Sequence, residues 1–301
     1  MLTIQNSTMS YLISLTSLVA CSWSSVTTLS DSSVDDPFVS VNTGGEAMVT
    51  WTANADDDLV IQSAYYDGIY WYAYETISGG GFNLNSTVKI DQDGNTIAIW
   101  EHLDTNTFFR DIMSAIRPAG DDWQAQELVS SGLTNTFSIL GFNESGQAIA
   151  AWVNEEDDTV EVVTQTFGTG WSEPIAITGS GGRKGNVQIA IDQAGNCIAV
   201  WEEFDNGSIS VAQTTDGFES SWSTTTVLSE SGLNTTPSLS IASNGDGVVS
   251  WIDGENYIIL ASTYIEGSWE PSPTTLSAPL SYYPVSAALD TGIFVSWQNL
   301  D

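Results

Sequence analysis

The sequence predicts an all-β fold, a six-bladed β-propeller of four-stranded antiparallel blades. Three observations predict it: two tryptophan series with a period near fifty residues, a Gly-containing turn ahead of one series, and four short β-rich runs per period. One series is Trp51, Trp100, Trp152, Trp201, Trp251 and Trp297, at spacings of 49, 52, 49, 50 and 46 residues. The other is Trp23, Trp71, Trp123, Trp171, Trp222 and Trp269, at spacings of 48, 52, 48, 51 and 47 residues. All twelve tryptophans belong to one series or the other.

Strands A and B of each blade follow from the first series. Its Trp closes an apolar run, as in Ile97-Ala-Ile-Trp100 and Ile198-Ala-Val-Trp201, and in five copies a glycine stands six residues earlier: Gly45, Gly94, Gly146, Gly195 and Gly245. Turns such as Asp91-Gln-Asp-Gly-Asn95 and Asp192-Gln-Ala-Gly-Asn196 use residues that tolerate positive φ, as a hairpin requires. Strand C follows the first Trp, and the second Trp opens strand D. In the fourth blade the four strands are expected at Val187–Asp192, Cys197–Glu203, Ser208–Thr214 and Trp222–Ser229. β-branched and aromatic residues fill these runs, and no segment of ten residues carries a helical period. Buried between blades, each Trp removes ~150–250 Å² from water. Both series are therefore expected in the core between blades, with some of the second, which opens the outer strand, half exposed and usable for ligand stacking.

The ends of the sequence predict how the ring closes. The C-terminal end supplies only strands A and B, at Pro284–Leu289 and Ile293–Gln298. The N-terminal end supplies only C and D, near Tyr11–Leu18 and Trp23–Leu29. Joined, they make the last blade from two N-terminal and two C-terminal strands, which removes two open sheet edges. Blades 1 to 5 span about 37–78, 86–130, 136–178, 186–229 and 237–277, and blade 6 combines 282–301 with 10–30, all in one domain. Leu18-Val-Ala-Cys21 also has the form of a lipoprotein cleavage site, with Cys21 as the lipidated residue. Residues 1–10 hold no Lys or Arg, however, and Ser14, Thr16 and Ser17 interrupt the apolar stretch, so the strand reading is preferred.

Charge narrows the function. Five Lys and Arg against 38 Asp and Glu give a net charge of −33, which repels phosphate backbones and anionic lipids. Nucleic-acid partners are thereby excluded, and no run of ~20 apolar residues provides a transmembrane helix. The acidic, Lys-poor and Ser/Thr-rich composition points to an extracellular or envelope setting, and the protein is expected as a monomer. Fifteen carboxylates fall in the B–C connections, including Asp56–Asp58, Glu155–Asp158 and Glu202, Glu203 and Asp205. They read either as a solvated rim or as a face for a cation or a basic partner. Glu155, Asp157, Glu202 and Asp205 are the candidate calcium ligands, because oxygen clusters suit hard ions. Asp91–Asn95 is not an EF-hand, since its glycine is fourth rather than sixth and His102 stands at position twelve.

Blade 1 breaks the repeat with an aromatic run. Tyr70, Tyr72 and Tyr74 are expected on one face of strand D with Trp71 on the other, either packed at the edge or serving as a ligand platform. His102 is the one histidine and is not assigned a catalytic role.

With its Asp-x-x-Gly-Asn…Trp hairpins, the chain resembles bacterial six-bladed β-propeller repeat proteins. More distantly it is similar to Asp-box propellers and fucose-binding lectins. The Asp-box likeness raises a sialidase, a family that needs three convergent arginines. Here only Arg110, Arg117 and Arg183 exist, two in strand C of blade 2 and the third in the loop before blade 4, so convergence is not expected. The expected function is a non-catalytic binding module for a glycan or a protein. The alternative is a glycan-active hydrolase or lyase on the same scaffold, and a further alternative is a structural surface protein.

Overall fold

The computed structural model describes residues 2–6, 9–13, 26–30, 33–132, 135–229 and 232–300, and among them it holds strands and no helix. Among the described residues no helix is therefore long and apolar enough to cross a membrane. Cys21, the Leu18–Cys21 motif and Trp23 lie outside the described residues.

Two strands come first, β1 (Leu2–Asn6) and β2 (Met9–Ile13). Repeat 1 holds β3 (Val34–Val41), β4 (Ala47–Ala55), β5 (Asp58–Tyr66) and β6 (Glu75–Thr76). Repeat 2 holds β7 (Phe82–Ile90), β8 (Thr96–Leu103), β9 (Arg110–Arg117) and β10 (Glu127–Ser130). Repeat 3 holds β11 (Asn135–Phe142), β12 (Gln147–Asn154), β13 (Thr159–Thr166) and β14 (Ile175–Ala176). Repeat 4 holds β15 (Lys184–Ile191), β16 (Cys197–Glu203), β17 (Ser208–Gln213) and β18 (Thr226–Val227). Repeat 5 holds β19 (Asn234–Ile241), β20 (Gly247–Asp253), β21 (Ile258–Ile265), β22 (Ser268–Trp269) and β23 (Thr274–Thr275). The chain ends on the hairpin β24 (Ser281–Leu289) and β25 (Gly292–Asn299).

Each repeat is an antiparallel meander. The hairpin between its first two strands turns on a left-handed glycine, as at Gly94 with φ 89°. Beneath that turn Asp91 accepts backbone N–H bonds from Asp93 and Asn95 at 3.0 and 2.8 Å, which makes the segment an Asx-type turn. The first strands lie side by side in chain order, from β3 through β7, β11, β15 and β19 to β24. The core fills the slabs between neighbouring repeats. Trp100, Trp152, Trp201 and Trp251 are fully buried there, and Trp51 nearly so. Trp297 is only half-buried, as are Trp71, Trp123, Trp171, Trp222 and Trp269 of the outer series.

The outer strands are shorter than the sequence suggests. Trp222–Ser229 contributes only Thr226–Val227 to the ladder. Side-chain hydroxyls occupy the remaining positions. The N–H groups of Ile61, Val160, Ile209 and Ile259, near the start of the third strand in repeats 1, 3, 4 and 5, donate to Ser78, Thr178, Ser229 and Ser277 at 2.8 to 3.0 Å. The adjoining Ile77, Ile177, Leu228 and Leu276 return N–H bonds to the same four residues' carbonyls. A Ser or Thr thus takes the place of a further backbone acceptor.

The two ends of the chain share one sheet, in the order β1-β2-β25-β24. The contact is the antiparallel pair Ser10↔Trp297. The outermost strand is β1, which precedes β2, whereas the sequence suggests Trp23–Leu29. Residues 26–30 carry no regular secondary structure and join no ladder. The β1–β2 hairpin, with Asn6 opposite Met9, closes a shorter loop and so costs less chain entropy.

Candidate functional site

The inner strands carry a bulge at the same place in each repeat. Register shifts lie between Asp35 and Phe38, Leu84 and Thr87, Thr136 and Ile139, Gly185 and Gln188, Thr235 and Ser238, and Tyr282 and Val285. A bulge leaves one residue unpaired and re-aims it. Asp36, Asn85, Asn186, Thr236 and Tyr283 stand at these points with φ between 47° and 54°. Asp and Asn accept this left-handed conformation far more readily than bulky residues do.

A cavity of about 420 Å³ opens among the bulges of repeats 1 to 4, lined by Asp36, Phe38, Asn85, Glu101, Asn186 and Gln188 among others. Glu101 follows the buried Trp100 on β8 and is 2% exposed. Arg110 Nη1 donates to its Oε2 at 3.0 Å. Burial pushes the Glu101 carboxyl above the usual carboxylate range, and this outweighs the opposing bonds from Asn85, Arg110 and the Ser138 backbone. Asp36 is exposed at the cavity wall. The site therefore sets a buried acid, its pKa raised by burial, and an exposed second carboxyl on one cavity that Asn85 and Asn186 also line.

Repeat 4 reproduces half of this arrangement. Glu202 follows Trp201 and accepts bonds from Asn186 Nδ2 and Thr235 Oγ1, both at 2.8 Å. The Asn–Glu pairs Asn85–Glu101 and Asn186–Glu202 have the same spacing in sequence, a signal not used in reading the sequence. Asp36 has no such partner, because Thr52 occupies the position after Trp51.

The candidate calcium ligands have separate partners. Glu155 accepts a bond from Thr136 Oγ1 at 2.9 Å, Asp157 stays exposed in its loop, Glu202 is held as above, and Asp205 pairs with Arg183 at 3.6 Å. Among the described residues no three His, Cys, Asp or Glu side chains gather in a metal-binding arrangement. His102 Nδ1 lies 3.0 Å from Asn83 Oδ1, the atom that also accepts Trp100 Nε1–H at 3.0 Å. It thereby joins a scaffold contact.

Tyr70, Tyr72 and Tyr74 are exposed and Trp71 is half-buried, but the segment is not the strand expected for it. Its only bridge is Tyr66↔Trp71, and β6 begins at Glu75. Asp67 is the cause. Its carboxylate takes the N–H groups of Ile69 and Tyr70 at 2.8 and 2.7 Å and the Tyr72 hydroxyl at 3.1 Å, turning the chain out of the ladder. The rings pair locally instead, Tyr72 with Tyr65 at 5.8 Å and Tyr74 with Trp51 at 6.0 Å.

The three arginines are dispersed. Arg110 binds Glu101, Arg117 stacks over Tyr65 at 4.5 Å, and Arg183 pairs with Asp205. No three-arginine cradle for a substrate carboxylate exists among the described residues.

No protein-family profile matches the sequence, and no curated protein matches it. Solved structures do match the fold. The NanB sialidase of Streptococcus pneumoniae superposes with a TM-score of 0.57 at 10% identity, covering 90% of this chain and 66% of the sialidase. The chain thus spans just under two thirds of that enzyme. An α-L-arabinofuranosidase of Fusarium graminearum superposes with a TM-score of 0.52 at 13% identity, covering 88% of this chain and 92% of the enzyme. A protein of unknown function from Dyadobacter fermentans gives 0.58 at 11% identity, over 88% and 90% of the two chains. The expectation of a non-catalytic binding module is corrected here, because the neighbours named for an activity are glycoside hydrolases and the hydrolase alternative fits them better. The chain has the all-β fold of the propeller-type glycosidases.

Proposed function

We propose that the protein is a glycan hydrolase on a six-bladed propeller, with Glu101 as general acid and Asp36 as the second carboxylate. The observation that carries the reading is Glu101 itself, a buried acid with its pKa raised by burial, opening on a cavity that also holds Asp36. A glycosidase needs two carboxyl groups whose environments differ, one holding its proton and the other free of it. Glu101 would protonate the leaving glycosidic oxygen, and water would complete the cleavage with help from Asp36. Asn85, Asn186 and Gln188 would hydrogen-bond sugar hydroxyls across the cavity. The dispersed arginines favour a neutral glycan over a sialic acid. Ring closure is supported by the sheet that joins β1 and β2 to β25 and β24. A secreted or envelope setting fits the acidic, Lys-poor composition.

The test is release of reducing sugar from a panel of neutral polysaccharides and aryl glycosides. Loss of general acid catalysis in Glu101→Gln is expected to cost ~10²–10⁴ in rate. Activity should persist to higher pH than for an ordinary glutamic acid. It should then fall as pH rises through the raised Glu101 pKa, because only the protonated form donates. Equal activity in wild type and Glu101→Gln would overturn the assignment.

A further inference from the structure

We propose that Tyr257, Tyr282 and Tyr283 form a stacking subsite for a neutral glycan chain, so that the substrate is a polymer rather than a small glycoside. The proposal rests on the hydrolase reading for its function and on separate residues for its geometry.

Tyr283 occupies the bulge of the last inner strand, the position held by Asp36, Asn85 and Asn186 in the cavity. It adopts φ 52° there, yet it is a bulky aromatic residue and 68% exposed. Neither conformational tolerance nor burial explains a tyrosine at that point. A strained, exposed side chain on a functional face is the kind of outlier from which a role is inferred. Tyr257, in the loop after β20, has φ 54° and is 46% exposed. Its carbonyl accepts the Ser281 N–H at 2.9 Å, which fixes the loop against the start of β24.

The three rings form a row. Tyr257 and Tyr282 have centroids 5.6 Å apart, and Tyr282 and Tyr283 have centroids 6.3 Å apart. Their phenol hydroxyls form no hydrogen bond among the described residues, so these hydroxyls and the exposed surfaces of Tyr257 and Tyr283 remain available. Rings with a free polar edge suit a sugar, which offers C–H faces and hydroxyl rims together. Asp253 and Glu255 in the Tyr257 loop, on a chain of net charge −33, disfavour an acidic polymer. β24 lies beside β19 in the series of inner strands, and Tyr283 holds on it the same bulge position that Asp36, Asn85 and Asn186 hold at the cavity, so the tyrosines sit at the same end of the inner strands.

The experiment is affinity gel electrophoresis of the full chain in arabinan, galactomannan and arabinoxylan, with polygalacturonate as the acidic control. Wild type and Glu101→Gln should be retarded equally by at least one neutral polymer. Tyr257→Ala and Tyr283→Asn should weaken that retardation about tenfold. Tyr283→Asn restores the residue type that fits the left-handed position, so its melting temperature should be equal or higher, and a folding defect cannot mimic the result. On the retained polymer KM should rise about tenfold in Tyr283→Asn, while turnover of an aryl glycoside stays unchanged. Retardation that depends on the tyrosines without hydrolysis of any glycan would sustain the subsite and remove the hydrolase reading. Hydrolysis with unchanged polymer KM in Tyr283→Asn would remove the subsite and leave the hydrolase reading. Equal retardation by polygalacturonate, or none by any neutral polymer, would overturn the proposal.

Discussion

Lys184 offers a direct measure of how the repeats are tied together. Its ammonium donates to the carbonyls of Asp158, Gly181 and Gly182 at 2.8, 2.9 and 2.9 Å, with Glu203 at 3.9 Å, and the side chain is 4% exposed. Repeats 2 and 5 place Asn83 and Asn234 at the same position. Asn83 Nδ2 reaches the carbonyls of Leu59 and Gly79, and Asn234 Nδ2 reaches that of Gly207, while each Oδ1 accepts the buried Trp N–H. Lysine has no acceptor, and in repeat 4 the Trp201 N–H turns to Glu203 at 2.7 Å instead. Lys184→Met removes three charge-assisted bonds. Their acceptors are partly exposed and regain water, so about 1 kcal/mol each is a fair loss, ~3 kcal/mol in all. An unfolding entropy of ~2.1 cal/mol/K per residue over a chain of this length converts that to a fall of about 5 °C in melting temperature. Lys184→Asn should recover roughly half of the fall, since it restores one or two carbonyl contacts and an acceptor for Trp201. Thermal unfolding followed by circular dichroism measures all three proteins. A Lys184→Met melting temperature within about 1 °C of wild type would refute the tie.

Two other outcomes are expected. Deleting residues 1–29 should expose the free edge of β25, lowering the melting temperature and promoting aggregation, and a truncated chain as stable as the full one would rule out closure by the N-terminal strands. Sodium chloride should raise the melting temperature by screening the −33 charge over ~10 Å at 0.1 M. Millimolar calcium at matched ionic strength should add nothing further, whereas a rise of several degrees specific to calcium would assign a metal site to the Glu155–Asp158 and Glu202–Asp205 loops.

The legible parts of the fold were those fixed by local chemistry. Trp100, Trp152, Trp201 and Trp251 announce buried second strands because each ends an apolar run after a Gly turn, and those strands lie where the pattern puts them. The outer strands were less legible, because Ser78 and Ser229 replace ladder bonds with hydroxyl bonds that no propensity records. The bulges were not legible at all. Whether Asp36 or Asn85 is unpaired depends on how many residues stand opposite it on the neighbouring strand, which a single strand's pattern does not contain. The cavity inherits that blindness. Glu101 reads as one acid among many until burial and the Asn85 contact distinguish it. The tyrosine run at residues 70–74 drew attention by composition, yet Asp67 removes it from the ladder.

The hydroxyl clasps have a consequence for behaviour at high concentration. A sheet grows by addition when its last strand offers a row of free N–H and C=O groups to another molecule. In repeats 1, 3 and 4 the last strand is two residues long, so the row is almost absent. On the strand behind it, the N–H groups of Ile61, Val160 and Ile209 are already engaged by Ser78, Thr178 and Ser229. An approaching strand would have to displace these side chains one by one, without a continuous template to register against. A protein whose regular structure is all β-strand thus presents dead ends along the outer edges of these repeats, and its negative charge keeps neighbouring molecules apart before they meet.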